Sequence, residues 1–266
     1  MNLSQTTKDV LAKIELAEAE KRFNDHLDPI VYPEYYEVTK DYRFDKPFYL
    51  RIAYFFLRLF IVRPYCFMVN HFWLKTSVLG KNKIKQIKTG AIVTCNHVNK
   101  LDALALGKAL WPHRCHYTVA EFNNMKCRLG TYMRAYGIMP FSESHDGMKN
   151  FNTHLEKYLK KKHFVSFFPE RSEWWCYEKP RPLQIGAFHY AAKSNVPILP
   201  VFITFKKLKK VDKQGLEKRK FIVHILDPIY PRADLSLKEN KEYMKNQNEK
   251  AWKTCYEAFY QKKLED

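Results

Sequence analysis

No C-x-x-C pair occurs in this 266-residue chain, whose six cysteines (Cys66, Cys95, Cys115, Cys127, Cys176 and Cys255) lie scattered along it. Cysteines so spaced suit neither zinc nor a disulfide framework, and imply reduced thiols in a cytosolic setting. The opening MNLSQTTKDV has neither a basic start nor an apolar core, so no secretory leader is expected there. No internal repeat or low-complexity tract is present. No apolar run of about 20 residues is free of charge, which argues against a spanning helix. Acidic residues are scarce, 28 Asp and Glu against 46 Lys and Arg, for a formal charge of +18.

What is present excludes disorder: 46% of residues are hydrophobic and 15% aromatic, in a chain long enough to bury a large core. The charge is uneven. Residues 1–46 hold 7 Lys/Arg against 10 Asp/Glu, so the remainder holds 39 against 18 and carries a net +21. So basic a body calls for an anionic partner, with nucleic acid, a membrane surface and an acidic carrier protein as the candidates. A nucleic-acid binder needs aromatics along a basic groove or a reader motif, and neither is found.

Three regions are expected. In residues 1–46, DVLAKIELAEAEKRFN (9–24) has the periodicity of an amphipathic helix, and an irregular Tyr/Pro/Asp-rich arm follows as a lid or support. In residues 47–80, the very apolar PFYLRIAYFFLRLFIVRPYCFMVNHFWL is interrupted by Arg51, Arg58, Arg63 and His71 and broken by Pro64. It suits a pair of helices lying in a membrane interface with the arginines reaching lipid phosphates, the alternative being a buried core helix.

Residues 81–266 alternate short apolar runs with helical segments, which indicates an α/β fold, a mixed sheet flanked by helices. The expected strands are AIVTC, CHYTVA, IMPF, HFVSFF, ILPVFITF and KFIVHIL, with helices near 101–110, 122–135, 146–161 and 184–194 and a C-terminal one over 236–264. KKLKKVDKQGLEKRK (206–220) reads as a basic turn around Gly215, solvated or resting on anionic lipid. The HRCH cluster at 113–116 reads as a basic turn, since no second ligand pair follows at zinc spacing.

Chemistry first shows in TCNHVNKLDALAL (94–106), where His97 precedes Asp102 by five residues. On one continuous helix these side chains would stand about 140° apart, so they meet only if the chain bends between them. A strand-to-helix bend there lets the imidazole donate Nδ1–H to the carboxylate and leaves Nε2 as a base. The same spacing also suits a helix cap, with Asn99 at the N-cap and an acid three residues on. From the spacing alone both readings stand.

A second strand end, FVSFFPERSEWW (164–175), places Glu170 73 residues after His97; GAF (186–188) and VPILPV (196–201) follow. These four blocks in this order resemble the glycerolipid acyltransferase family typified by 1-acylglycerol-3-phosphate acyltransferase. The likeness covers about residues 88–228 and implies a glycerol-3-phosphate acyltransferase-like core.

The resemblance further implies acyl transfer from acyl-CoA or acyl carrier protein to a hydroxyl of a lysophospholipid. His97 would deprotonate the acceptor and Asp102 would orient His97, with no metal and no cofactor beyond the donor. Glu170 would help to bind the acceptor's polar head, while Pro197 and Pro200 would shape the donor side. Asn96, Ser172 and Gly186, within the same blocks, would belong to the substrate site. The partners implied are membrane lipid, the lysophospholipid and the donor, with no nucleic acid, at the cytoplasmic face of a membrane as a peripheral or monotopic protein. A catalytically silent lipid-binding relative is the alternative.

Two departures bear on the acceptor. Glu143 and Glu173 stand where the family's second and third blocks carry arginines, and Arg171 stands where the third carries glycine. Carboxylates facing a phosphate repel it. Either other cations, such as Arg171, Lys179, Arg181 or Arg134, take over, or the acceptor is not a simple phosphomonoester. Trp174 and Trp175 suit the acceptor, the membrane or the core.

Overall fold

The computed structural model describes residues 3–28, 32–211 and 217–264. All six expected strands form: β2 (Ala91–Cys95), β3 (Cys115–Ala120), β4 (Ile138–Phe141), β5 (Phe164–Phe167), β6 (Ile198–Val211) and β7 (Glu217–Ile225). A short strand, β1 (Ser77–Leu79), was not expected. Three residues carry too little alternation to show in a sequence, and β1 exists because it pairs in parallel with β7.

The sheet runs β1-β7-β6-β2-β5-β3-β4, parallel throughout except where β6 meets β7. It is therefore mixed, and β2, buried along its whole length, lies at its centre between β5 and the buried first half of β6.

The side chains of β2 divide between the two faces with the period of two that a strand imposes. Val93 and Cys95 join Ala105, Leu106, Ala109 and Leu110 of α4 (Asp102–Leu110) on one face. Ile92 packs on the other with α6 (His145–Lys160), α7 (Gly186–Lys193) and α8 (Leu237–Tyr260). A sheet buried on both faces explains why AIVTC reads as an unbroken apolar run. Thr94, its most polar residue, donates to Asn248 of α8 at 2.6 Å.

The apolar segment departs from expectation. α2 (Phe48–Leu57) and α3 (Arg63–Met68) join through a π turn at Arg58–Val62, and a second π turn ends the run at Val69–Trp73. The result is one continuous 26-residue helix rather than a pair, long and apolar enough to cross a membrane by length and composition. Pro64 does not break it. The π turn just before Pro64, closed by Arg63 N–H donating to the Arg58 carbonyl, widens the helix and makes room for the ring.

Arg58 turns toward the domain rather than outward, while Arg63 stays exposed beside the exposed ring of Trp111. Arg58 donates to the Ala135 carbonyl of α5 (Arg128–Tyr136) at 2.8 Å, and the Arg63 guanidinium lies 4.3 Å from the Trp111 ring centre. Asn70 donates to Leu104 of α4 at 3.0 Å. The helix is thus tied along its length to the domain, and its other side exposes Phe48, Phe55, Phe60, Phe67, Phe72 and Trp73.

Before it, α1 (Leu3–Ala19) starts earlier and ends earlier than its periodicity indicated. Its Val10, Ile14 and Ala17 bury against Trp174 and Tyr177, a small core beneath the loop that follows β5. The arm after it is irregular, as expected, and is pinned by Tyr36 N–H to Asn124 and Val38 N–H to Glu121. Lys206, Lys207, Lys209 and Lys210 stand exposed on the β6 ribbon, while the turn around Gly215 lies outside the described residues.

Candidate active site

β2 and β5 are parallel neighbours, with Ala91 opposite Phe164, so they end on the same side of the sheet. The chain leaves β2 into Asn96 and His97, and leaves β5 into Phe168, Pro169 and Glu170. The carboxyl ends of adjacent parallel strands form a crevice, and both motif-bearing turns open into it.

His97 and Asp102 meet there. Asp102 is the first residue of α4, and its Oδ2 accepts from His97 Nδ1 at 3.1 Å, Val98 N–H at 2.7 Å and Asn99 N–H at 2.8 Å. One oxygen therefore both caps the turn and orients the imidazole. The helix N-cap itself is Leu101 rather than Asn99, although Asn99 N–H does reach the carboxylate three residues on. With an acceptor on its Nδ1 side, the ring carries its proton there and leaves Nε2 as the lone-pair nitrogen.

Burial pulls the pKa of His97 down, but the Asp102 hydrogen bond and the charges of Asp102 and Glu173 outweigh it, and the net direction is up. Burial likewise raises Asp102, against the donors that converge on it. Phe168 stacks on the imidazole, ring centres 4.4 Å apart.

Behind this pair lies a buried brace. Glu170 accepts from His97 N–H at 3.0 Å, Arg181 N–H at 3.0 Å and Arg181 Nη2 at 2.9 Å. Arg181 also donates to Ser172 Oγ and to the Ser172 carbonyl, and its guanidinium faces the Trp174 ring at 4.7 Å. The loop is laced to the His97 turn by Trp174 N–H to the His97 carbonyl and Cys176 N–H to the Val98 carbonyl. Glu170, Ser172 and Arg181 are thus occupied by protein partners, where the resemblance had implied contact with an acceptor head. Asn96 similarly spans β2 to β6 through its paired bonds with Ile203.

The other expected residues have different surroundings. Arg171 is exposed in a left-handed conformation at φ 72°, where a glycine is favoured. Lys179 pairs with Glu18 of α1 at 2.5 Å, and Arg134 donates to Asn124 and Met125. Glu143 is exposed in the loop beyond the edge strand β4. Gly186 opens α7 and is exposed. Pro197 accepts from Ile92 at the opposite end of β2 from His97, and Pro200 lies in the sheet opposite Thr94. Trp174 is core, fully buried. In the HRCH cluster, His116 is hydrogen bonded to His163 at 3.0 Å, and no group of three metal-ligating side chains gathers among the described residues.

Glu173 occupies the open side of His97. Its Oε2 stands 4.0 Å from Nε2 with the side chain only 10% exposed, and its buried Oε1 has no partner among the described residues. Burial pushes the carboxyl up to about 7; His97 and Lys100 pull it down, and Asp102 and Asp28 add to the rise. Its folded-state value lies above the ordinary 4.5, so the native state holds a proton that the unfolded chain has already released.

Stability therefore falls as pH rises from about 4.5 to 7, by up to about 3 kcal/mol. Glu173→Gln removes this cost. Urea unfolding should find the variant about 2–3 kcal/mol more stable than the parent at about pH 8 and equal to it at about pH 4. Equal stability at both pH values would show that the carboxyl is not held in its buried position.

A family model described as Acyltransferase matches residues 75–204. The chain is 29% identical over 160 residues to a 1-acyl-sn-glycerol-3-phosphate acyltransferase of Saccharomyces cerevisiae, covering 59% of this chain and 52% of that protein. It is 28% identical over 146 residues to an uncharacterized acyltransferase of Schizosaccharomyces pombe, covering 52% and 51%. It spans about half the length of both. Its fold matches the crystal structure of a 1-acyl-sn-glycerophosphate acyltransferase from Thermotoga maritima with a TM-score of 0.55 at 15% identity, over 82% of this chain and 97% of that one.

Proposed function

We propose, from the premise that this chain belongs to the glycerolipid acyltransferase family, that it moves a fatty acyl group from a thioester donor to a free hydroxyl of a 1-acylglycerol-type lysolipid. That class includes 1-acylglycerol-3-phosphate and the other lysophospholipids, and the donor is acyl-CoA or acyl carrier protein. The observation that carries the reading is the His97–Asp102 pair at the carboxyl ends of β2 and β5, with Nε2 toward the crevice.

Each group has one task. Nε2 takes the proton of the acceptor hydroxyl as its oxygen attacks the thioester carbonyl. The tetrahedral intermediate collapses, the C–S bond breaks, and the departing thiolate recovers the proton from the imidazolium. Asp102 holds the tautomer and stabilises the imidazolium. The sequence of steps uses no metal or cofactor, the donor being a co-substrate.

The exposed aromatic side of the Phe48–Trp73 helix supports a seat in the membrane surface, with its inner side tied to α4 and α5. The exposed lysines of β6 suit anionic headgroups beside it, consistent with a peripheral or monotopic protein at a cytoplasmic membrane face. Nucleic acid has no part in this reading.

The test supplies purified protein with acyl-CoA or acyl carrier protein thioester and a panel of lysolipids. Thiol release that depends on a lysolipid is expected. Absence of release with every donor and acceptor pair would overturn the assignment.

A further inference from the structure

Resting on the acyl-transfer reading, we propose that Glu173 is a specificity-determining residue that favours an acceptor presenting a hydrogen-bond donor, a hydroxyl or an ammonium, beside the reacting hydroxyl, and disfavours one presenting a phosphomonoester there. The geometry comes first. Oε2 of Glu173 and Nε2 of His97 are 4.0 Å apart, too far for a hydrogen bond between them. They are close enough for one acceptor to engage both, since an oxygen can sit ~2.8 Å from each. An acceptor hydroxyl poised for deprotonation by Nε2 therefore lies against Glu173, and its neighbouring substituent lies there too.

The second observation is an unmet need. Oε1 of Glu173 is buried and unpartnered among the described residues, although the side chain is only 10% exposed. A buried carboxylate oxygen without a donor is costly, and a substrate donor meets that need where a phosphate oxygen cannot.

The surrounding charges reinforce this. Asp102 and Asp28 add negative charge around Glu173, with Lys100 the cation acting on it besides His97. Lys100 is exposed and lies over the Trp175 ring at 4.8 Å. The buried guanidinium of Arg181 turns both of its Nη atoms to Glu170 and Ser172 and leaves only its enclosed Nε without a partner among the described residues. Above about pH 7, where Glu173 is ionised and where the acceptors are compared, a phosphate dianion beside the reacting hydroxyl would thus meet a carboxylate at contact distance, and like charges in a partly desolvated site repel strongly. Glu143 takes no part, being exposed beyond β4.

The experiment compares acceptors that differ only in the neighbouring group. 1-Acylglycerol carries a hydroxyl there, 1-acylglycerol-3-phosphate a phosphomonoester, and a long-chain 2-amino alcohol an ammonium. All carry the same chain length, are dispersed in uncharged detergent micelles and are assayed with one saturating acyl donor. The wild-type protein is expected to give a higher kcat/KM with a donor-bearing acceptor than with the phosphate. The hydroxyl and amine arms show which donor is preferred.

Glu173→Gln is expected to lower the ratio of neutral to phosphate acceptor by roughly 10- to 100-fold, Glu173→Arg to reverse it, and Glu173→Asp to keep it. A purely structural role would change kcat/KM for all three acceptors together and leave the ratios alone. Preference for the phosphate in the parent, or ratios unmoved in both the Gln and Arg variants, overturns the proposal while leaving acyl transfer standing. Absence of thiol release with every acceptor overturns the acyl-transfer reading itself, and this proposal with it.

Discussion

Replacing His97 with alanine is expected to lower kcat/KM for the proposed acyl transfer by roughly 10²–10⁴-fold, the usual worth of a positioned general base. The loss falls on chemistry rather than on folding. His97 keeps a quarter of its side chain exposed, and Asp102, which loses one donor, still accepts from Val98 and Asn99 N–H. Turnover and urea unfolding measured on the same preparation separate the two effects. Retained turnover would remove His97 from the mechanism.

The pH profile supplies a second check on the same pair. In the proposed mechanism His97 serves as a base only when neutral, and the Asp102 hydrogen bond and charge work to raise its pKa against burial. Asp102→Asn should therefore move the acid limb of kcat/KM to lower pH while slowing the reaction, because the imidazolium loses its counter-charge. An unmoved acid limb would mean that Asp102 serves only as a cap.

Arg181→Met destabilises the protein by about 3–5 kcal/mol, the penalty for stripping the partner from a buried charge. Arg181 and Glu170 are each only 1% exposed, joined at 2.9 Å, and between them they hold Ser172, the His97 backbone and the loop after β5. Removing the cation leaves Glu170 with two backbone donors and an uncompensated charge. Denaturant midpoints read this directly. The double variant Glu170→Gln/Arg181→Met should recover part of the loss, since no buried charge then remains. A loss below about 1 kcal/mol in the single variant would show that the pair is not closed as described. Activity should fall with stability in Arg181→Met because the Glu170 brace also holds the His97 turn.

Much of this architecture was legible because local patterns carry it. AIVTC marks a strand buried on both faces and CHYTVA one buried along its first half, and β2, β3 and β4 begin and end where the expected runs do. The His97, Asp102 and Glu170 blocks were legible as a constellation because each sits at a strand end. The apolar helix was misread at Pro64, since a sequence shows the missing N–H but not the π turn that accommodates it. Arg58 was misdirected for a related reason: its target, the Ala135 carbonyl, lies more than 40 residues away.

The sequence by itself determined the order of the six longer strands and of the helices between them, and it placed His97 and Asp102 five residues apart at the end of β2, because these depend on residue type and spacing along the chain. Only the tertiary structure decided what Glu170, Arg181 and Glu173 do. All three are charged residues of one loop and look equally available to a substrate. Packing against α1, β2 and the His97 turn buries each of them, but joins Glu170 to Arg181, whose Nε alone lacks a partner, while the Glu173 carboxylate has no buried cation of its own and an oxygen without a donor among the described residues. Whether a buried charge is satisfied depends on groups brought together in space, and spacing along a chain does not encode that.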